Sequence, residues 1–261
     1  MLKKTMLFML LPLAGHAQST DYGTVHLLRG WQLADGSYQM ALDFRLNDGW
    51  KTYWRSPGPA GLPPQFDWTA SSNIGEVDIR WPTPEVIDQG GMVTLGYHDA
   101  LVLPIHISPE ADGPVRVALS LHFGVCSDIC VPAEAVFLAR LDGSTVQGVA
   151  EITAALAAAP AQRENAGLSS ITCAVSSVGE ALEITADLAF EQAIKTPYTV
   201  IEYGTEEIWI DTTESHSSGT AISATAPLRY YGSGEMEMDR NALTVSVFGD
   251  ERAVEIEGCA D

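Results

Sequence analysis

Apolar and polar residues alternate along much of this chain, most clearly between positions 115 and 141. Hydrophobic residues occupy every second position from Val115 to Phe123, with Arg116, Ser120 and His122 between them. This period is typical of a half-buried strand. The apolar segment 131–141 follows closely, so the pattern predicts an antiparallel hairpin.

Two cysteines, Cys126 and Cys130, lie between the halves of this hairpin, separated by residues 127–129. Across its closed end their Cα atoms would lie about 4.5–5.5 Å apart, a distance that a disulfide can span. A disulfide that closes about five residues stabilises a fold by only about 2 kcal/mol in the chain-entropy model. The pair is therefore suited to cycling between dithiol and disulfide. A permanent structural bridge at a tight turn is the alternative. The charge of Asp128 opposes thiolate formation and predicts a thiol that is not strongly acidified.

Short strand patterns fill the chain on both sides of one alanine-rich stretch. The strands predicted before it are 24–33, 38–46, 65–68, 76–81 and 100–107, and a glycine-containing loop is predicted at 88–97. The stretch 148–159 predicts a helix that Pro160 ends. The strands predicted after it are 171–175, 181–188, 198–203, 207–211, 221–226, 242–248 and 253–258. This arrangement predicts an all-β protein with two β-sandwich domains, 18–147 and 168–261, joined by a helical linker, 148–167.

A second pair of cysteines brackets the second predicted domain. Cys173 lies in its first strand and Cys259 directly after its last. A disulfide that closes about ninety residues stabilises by about 4.6 kcal/mol in the same model. We therefore predict a structural disulfide between these two residues.

The first seventeen residues have the pattern of a secretory signal peptide. Lys3 and Lys4 precede an apolar run at 6–14, and small residues precede a cleavage site after Ala17. No later run reaches the roughly 20 apolar residues that a membrane helix needs, so no membrane span is expected in the mature chain. The net charge of −20 disfavours nucleic acid and anionic lipid as partners. Export, with cysteines, indicates the periplasm.

Several motifs of the first predicted domain resemble a known family. They are GWKTYWRSPGPAGLPPQFDW from Gly49, WPTPE from Trp81, GYHDALVLPI from Gly96 and GVCSDICVP from Gly124. In this order they resemble the amino-terminal periplasmic domain of DsbD-type thiol:disulfide interchange proteins, particularly that of ScsB proteins, over about 22–141.

The resemblance implies immunoglobulin-like domains and a redox role for Cys126 and Cys130. Such a protein-disulfide reductase-type exchanger takes electrons from a membrane donor of the DsbD/CcdA type and passes them to a periplasmic thioredoxin-like protein, without a cofactor. The family's membrane helices and thioredoxin-like domain do not follow Asp261, so we expect a detached periplasmic shuttle.

The resemblance also implies a cap loop over the cysteines and an aromatic neighbour beside them. By order along the chain the cap is 87–97, in which Gly90 and Gly91 supply backbone freedom and Met92 could cover the sulfurs. An ordinary hairpin with a half-buried methionine is the alternative. The expected neighbour is Tyr53 or Trp54.

Two other functions fit the same residues. Cys126 and Cys130, with His122, Met92 or His98, could bind Cu(I), because soft sulfur ligands favour that ion, and the resemblance to copper-sensitivity proteins supports copper tolerance. A pair of non-catalytic binding modules with two structural disulfides is the other alternative. The sequence has no Gly-x-Ser-x-Gly motif, phosphate-binding loop or His-Glu-x-x-His motif, so no hydrolase or nucleotide chemistry is predicted.

Overall fold

The computed structural model describes residues 18–20, 22–179, 181–205, 207–234 and 236–259. The predicted signal peptide, 1–17, lies outside them. The strands are β1 (Gln18–Thr20), β2 (Gly23–Gln32), β3 (Tyr38–Leu46), β4 (Lys51–Tyr53), β5 (Gln65–Asp67), β6 (Glu76–Ile79), β7 (Glu85–Gln89), β8 (Met92–His98), β9 (Ala100–Ser108), β10 (Val115–Cys126), β11 (Cys130–Leu141), β12 (Ala161–Gln162), β13 (Leu168–Val178), β14 (Ala181–Phe190), β15 (Tyr198–Tyr203), β16 (Ile208–Ile210), β17 (Glu214–Ser218), β18 (Ala221–Tyr230), β19 (Leu243–Phe248) and β20 (Ala253–Glu257). An α-helix, α1 (Val149–Ala157), and two 3₁₀ turns, Arg163–Asn165 and Arg240–Ala242, complete these elements.

Two sheets form the first sandwich. One has the strand order β1-β2-β3-β9-β6, and the other has the order β11-β10-β4-β8-β7 with β5 also paired to β10. Alternate side chains of β10 are buried, as its sequence predicts, and they meet residues such as Met40, Leu42 and Ile105 of the facing sheet in one hydrophobic core. The long strand β10 therefore connects the core to the hairpin end.

The second sandwich has the same two-layer construction. Its sheets have the orders β12-β20-β19-β15 and β13-β14-β18-β16, with β17 also paired to β18. Residues such as Ile184, Val247 and Ile256 fill the space between them. The predicted all-β class with two sandwiches is confirmed, whereas the domain boundaries 18–147, 148–167 and 168–261 stay a prediction. Among the described helices, none has the length and apolar character to cross a membrane.

Helix α1 lies against the first sandwich and leads directly into the second. It follows Gly148, whose φ of 68° is in the left-handed region, and it buries Ile152 against the sheet that contains β2 and β9. The predicted helix is confirmed. The polar stretch after it already contains a strand, since Ala161–Gln162 pairs in parallel with β20.

The predicted loop at 88–97 is wrong, because most of it is strand. Strands β7 and β8 form an antiparallel hairpin whose two-residue turn is Gly90-Gly91. Both turn residues have positive φ, 68° and 92°, as tight hairpin turns of this type require. The glycines suggested a loop, although Val93, Leu95 and Tyr97 alternate as strand residues do.

The two sandwiches contact each other through residues that directly follow β4. Trp54 is fully buried, and its ring meets that of Phe248 edge to face at 5.1 Å between centroids. The guanidinium of Arg55 binds the carboxylates of Glu202, at 2.8–3.0 Å, and Glu255. Because Phe248 belongs to the same hydrophobic cluster as the core of the first sandwich, the interface joins apolar packing to a charged network.

Candidate functional site

The closed end of the β10–β11 hairpin holds a disulfide between Cys126 and Cys130. The two residues are paired in the strand register, with their Cα atoms 4.0 Å apart, so the predicted facing of the cysteines is confirmed. Their surroundings differ: Cys126 is only 3% exposed, whereas Cys130 is exposed to solvent. A thiolate from outside can therefore approach the sulfur of Cys130 more easily than that of Cys126.

Four residues form a row across the sheet at this end. Cys130 is paired with Cys126, Cys126 with Lys51 of β4, and Lys51 with His98 of β8. Directly paired residues of neighbouring strands project their side chains to the same face of a sheet. The short strand β4 thus places Lys51 beside the buried cysteine.

Tyr53 contacts the exposed cysteine directly. Its hydroxyl lies 3.0 Å from Sγ of Cys130, while its ring is buried. Because a disulfide sulfur carries no proton, the hydroxyl donates this hydrogen bond. Burial raises the pKa of Tyr53, so the donor keeps its proton at neutral pH. Trp54, the other expected neighbour, belongs to the core of the first sandwich, so Tyr53 is the residue beside the disulfide.

The loop that follows β4 holds the ring of Tyr53 in place. A Cβ atom built on Gly61 would lie 3.1 Å from this ring, and one built on Gly124 of β10 would lie 2.6 Å from Cβ of Leu62 and 2.8–2.9 Å from two ring carbons. The absence of a side chain at Gly124 therefore lets the ring pack closely against β10. Gly124 was not among the residues predicted for the site, although a glycine inside a strand signals such a close approach.

The substitution Gly124→Ala tests this packing. We expect it to lower the free energy of unfolding by about 1–3 kcal/mol, because the added methyl overlaps Leu62 and Tyr53. The control is Gly204→Ala, where the nearest atom would lie 3.6 Å away and the expected change is below about 0.5 kcal/mol. Urea unfolding of both variants measures the difference. Equal changes in the two variants would show that the packing around Tyr53 tolerates a side chain at position 124.

Lys51, which was not predicted from the sequence, is a buried cation beside the disulfide. It is 2% exposed, and Nζ donates hydrogen bonds to Oε1 of Gln89 at 2.7 Å and to Oγ1 of Thr94 at 3.4 Å. Within the described part of the chain, no carboxylate oxygen lies within 4.0 Å of Nζ. Burial lowers the pKa of Lys51. The signal in the sequence was a single lysine in an aromatic run, two residues before Tyr53.

The β7–β8 hairpin, predicted as the cap, meets the row through one hydrogen bond. Gln89, directly before the Gly90-Gly91 turn, accepts the bond from Lys51, and Met92 directly after it is 62% exposed. Met92 is therefore not the half-buried methionine of an ordinary hairpin. A covering role for Gly90, Gly91 and Met92 stays a prediction.

The histidines considered for copper do not gather around the cysteines. Nδ1 of His98 binds Oε2 of Glu85 at 2.8 Å. His122 precedes Cys126 by four residues on β10, a separation of about 13 Å along a strand. No cluster of three or more His, Cys, Asp or Glu side chains suited to a metal ion occurs among the described residues.

The second disulfide connects the two sheets of the second sandwich. Cys173 of β13 and Cys259, which follows β20, are both buried, and their Cα atoms lie 5.8 Å apart. The predicted pairing is confirmed. Its burial contrasts with the exposure of Cys130.

Comparison with known proteins agrees with this geometry. Residues 24–141 match the family described as thiol:disulfide interchange protein DsbD, N-terminal. The solved N-terminal periplasmic domain of ScsB from Proteus mirabilis superposes with a TM-score of 0.69 and 21% identity, covering 92% of this chain and 95% of that one. No curated protein matches the chain. Residues 24–141, which contain the disulfide, Tyr53 and Lys51, are therefore the part of the chain that is similar to the amino-terminal domain of the DsbD thiol:disulfide interchange family.

Proposed function

We propose that this protein is a periplasmic thiol-disulfide exchange protein that passes electrons between a membrane reductant of the DsbD/CcdA type and thioredoxin-like periplasmic proteins through Cys126 and Cys130. The observation that carries the proposal is the unequal burial of the two cysteines of a disulfide that closes a very short loop. The match of residues 24–141 to the amino-terminal domain of the DsbD family and the similarity of the fold to a periplasmic ScsB domain support it.

The exposure of Cys130 supports the following order of events. A thiolate of the reductant attacks Sγ of Cys130, the Cys126–Cys130 bond breaks, and its electron pair goes to Cys126. A second thiolate of the reductant then attacks its own sulfur in the mixed disulfide and releases Cys130 as a thiolate. The reductant leaves as a disulfide, and the dithiol of this protein reduces the next partner by the same steps in reverse.

Tyr53 is positioned to stabilise charge on Cys130. Its hydroxyl, 3.0 Å from Sγ, can donate a hydrogen bond to the thiolate that forms when Cys130 is released, and hydrogen bonds to charged groups are stronger than those to neutral ones. The second sandwich contributes no residue to the row of Cys130, Cys126, Lys51 and His98.

The reduction potential of the Cys126–Cys130 pair tests the proposal. We expect a value in the range of exchange proteins, about −120 to −270 mV, whereas a structural bridge lies below about −300 mV. The full chain is equilibrated with glutathione buffers, free thiols are trapped, and peptide mass spectrometry separates this pair from Cys173 and Cys259. A potential below −300 mV would favour the binding-module alternative, and stoichiometric Cu(I) binding without exchange would favour copper handling.

Single substitutions test the assigned order. In Cys126→Ser the remaining thiol of Cys130 is exposed, and in Cys130→Ser the remaining thiol of Cys126 is buried. We expect Cys126→Ser to form a mixed disulfide with a thioredoxin-like protein at least about tenfold faster, because access controls exchange. Faster trapping by Cys130→Ser would reverse the assignment.

A further inference from the structure

The row of side chains at the hairpin end contains a positive charge that the exchange steps above do not use. Lys51 lies between Cys126 on one neighbouring strand and His98 on the other. In such pairs the Cβ atoms are about 4.5–5.5 Å apart. The ammonium group is bound only by the neutral side chains of Gln89 and Thr94, so its charge has no carboxylate partner within the described residues.

We propose that Lys51 is the electrostatic partner of Cys126 and stabilises the thiolate that forms there when the disulfide opens. This role rests on the proposed exchange function and adds a residue to it. When an incoming thiolate bonds to Cys130, the electron pair of the broken bond stays on Sγ of Cys126. Lys51 keeps its proton, and no further reactant is needed.

Burial gives this charge its effect. Cys126 is 3% and Lys51 2% exposed, so water screens the interaction between them much less than it would at the surface. A buried thiolate without a cation is strongly disfavoured, and an ammonium nearby lowers the pKa of the thiol. Burial of Cys126 and the negative charge of Asp128 both raise the pKa of the Cys126 thiol, and Lys51 opposes both effects. The prediction of a thiol that is not strongly acidified considered Asp128 but not Lys51.

Other titratable groups lie in the row or on elements close to it, namely His98, Glu85, Asp88, Asp128 and Tyr53. His98 and Glu85 bind each other, Asp88 accepts the backbone N–H of Gly91, and Asp128 is exposed in the turn. The loop 57–62 that covers Tyr53 contains no titratable side chain. Lys51 is therefore the buried cation nearest in register to Cys126 among the described residues.

Two substitutions remove the effect in different ways. Lys51→Met replaces the charged side chain with an apolar side chain of similar length. Gln89→Glu keeps Lys51 but places a carboxylate where Oε1 now lies, 2.7 Å from Nζ, so the ammonium acquires a permanent partner. Lys51→Arg retains the charge. Lys195→Met is the matched control, because Lys195 is exposed and pairs with Glu251 in the second sandwich.

The measurement is the ultraviolet absorbance of thiolate in the reduced full chain, followed against pH. We expect its first midpoint to move to higher pH by about one unit in Lys51→Met and by a smaller amount in Gln89→Glu. Lys51→Arg and Lys195→Met should titrate like the unmodified protein. Thiols of Cys173 and Cys259, if reduced, contribute equally to every variant and cancel in the comparison.

The rate of reduction by glutathione is the second measurement. A more basic leaving thiolate leaves more slowly, so we expect the rate to fall about three- to tenfold in Lys51→Met and to be unchanged in Lys195→Met. If Lys51→Met does not fold, both measurements are made on Gln89→Glu. This substitution changes one atom of an exposed residue.

The possible failures are distinguishable. If glutathione does not reduce the Cys126–Cys130 pair in the unmodified chain, the exchange function itself is wrong. If the unmodified chain is reduced but Lys51→Met and Gln89→Glu titrate and react as it does, the exchange function stands and the role of Lys51 is overturned. A loss in Lys51→Met with none in Gln89→Glu would identify a structural role, since only an electrostatic role responds to the added carboxylate.

Discussion

Arg55→Ala is expected to lower the free energy of unfolding by about 3 kcal/mol. The substitution removes the cation that Glu202 and Glu255 share between the two sandwiches. Side-chain exposures of 27%, 21% and 12% for these three residues place the network mostly out of solvent. Breaking a buried ion pair from one side costs about 3–5 kcal/mol, because a charge is left without its partner, and the remaining exposure of Arg55 reduces this figure.

The environment of Arg55 explains why its loss is costly. Burial disfavours its charge, but hydrogen bonds and the charges of Glu202 and Glu255 outweigh this effect, so the pKa of the guanidinium lies above its ordinary value. Its Cζ also lies 4.4 Å from the ring centroid of Trp54, a cation–π contact. The alanine variant loses the ion pairs and this contact together.

Arg80→Ala is the matched control. Arg80 pairs with Asp78 at 2.7 Å, but the two side chains are 47% and 39% exposed, and exposed pairs contribute about 0–1 kcal/mol. Urea unfolding of the two variants gives the comparison. If both lose the same small amount, Arg55 contributes no more than a surface charge, and apolar packing such as that of Trp54 on Phe248 holds the sandwiches together.

Sequence patterns predicted the elements whose two faces differ. Strands β3 and β15 were predicted with the bounds that the structure shows, and β10 buries its alternate residues as expected. Strands without a clear alternation were missed. All three residues of β4 are buried although Lys51 and Thr52 are polar, so its sequence does not show the alternation of a half-buried strand. Strand β17 is almost entirely polar and exposed because it is held by backbone pairing with β18.

The site was predictable as far as local spacing could define it. Three residues separate Cys126 from Cys130, and a hairpin brings them together whatever the rest of the fold does. The contacts of Lys51 and Tyr53 depend on β4 lying next to β10, although more than seventy residues separate them in sequence. No periodicity encodes such a distant pairing. Only the structure distinguishes Tyr53 from Trp54: the hydroxyl of Tyr53 contacts Cys130, whereas Trp54 belongs to the core.

Removal of the disulfide of the second sandwich is expected to lower the free energy of unfolding more than any other substitution proposed for this protein. Cys173→Ala/Cys259→Ala reopens a connection between residues 86 positions apart, and the chain-entropy model gives a loss of about 4–5 kcal/mol. Two observations explain why removal of this disulfide is costly. Cys173 lies in β13 of one sheet and Cys259 follows β20 of the other. The backbone N–H of Cys259 also donates to the carbonyl of Arg240 at 2.9 Å, which holds Cys259 against the fold.

The double variant Cys126→Ala/Cys130→Ala is the comparison for this predicted loss of stability. The same chemical change at a separation of four residues should cost only about 2 kcal/mol, because the unfolded chain loses little freedom when so short a loop is closed. Unfolding in guanidinium chloride, followed by circular dichroism, measures both double variants. A larger loss at Cys126/Cys130 than at Cys173/Cys259 would show that the hairpin disulfide holds the fold together, which a bond meant to open and close in each exchange cycle cannot do.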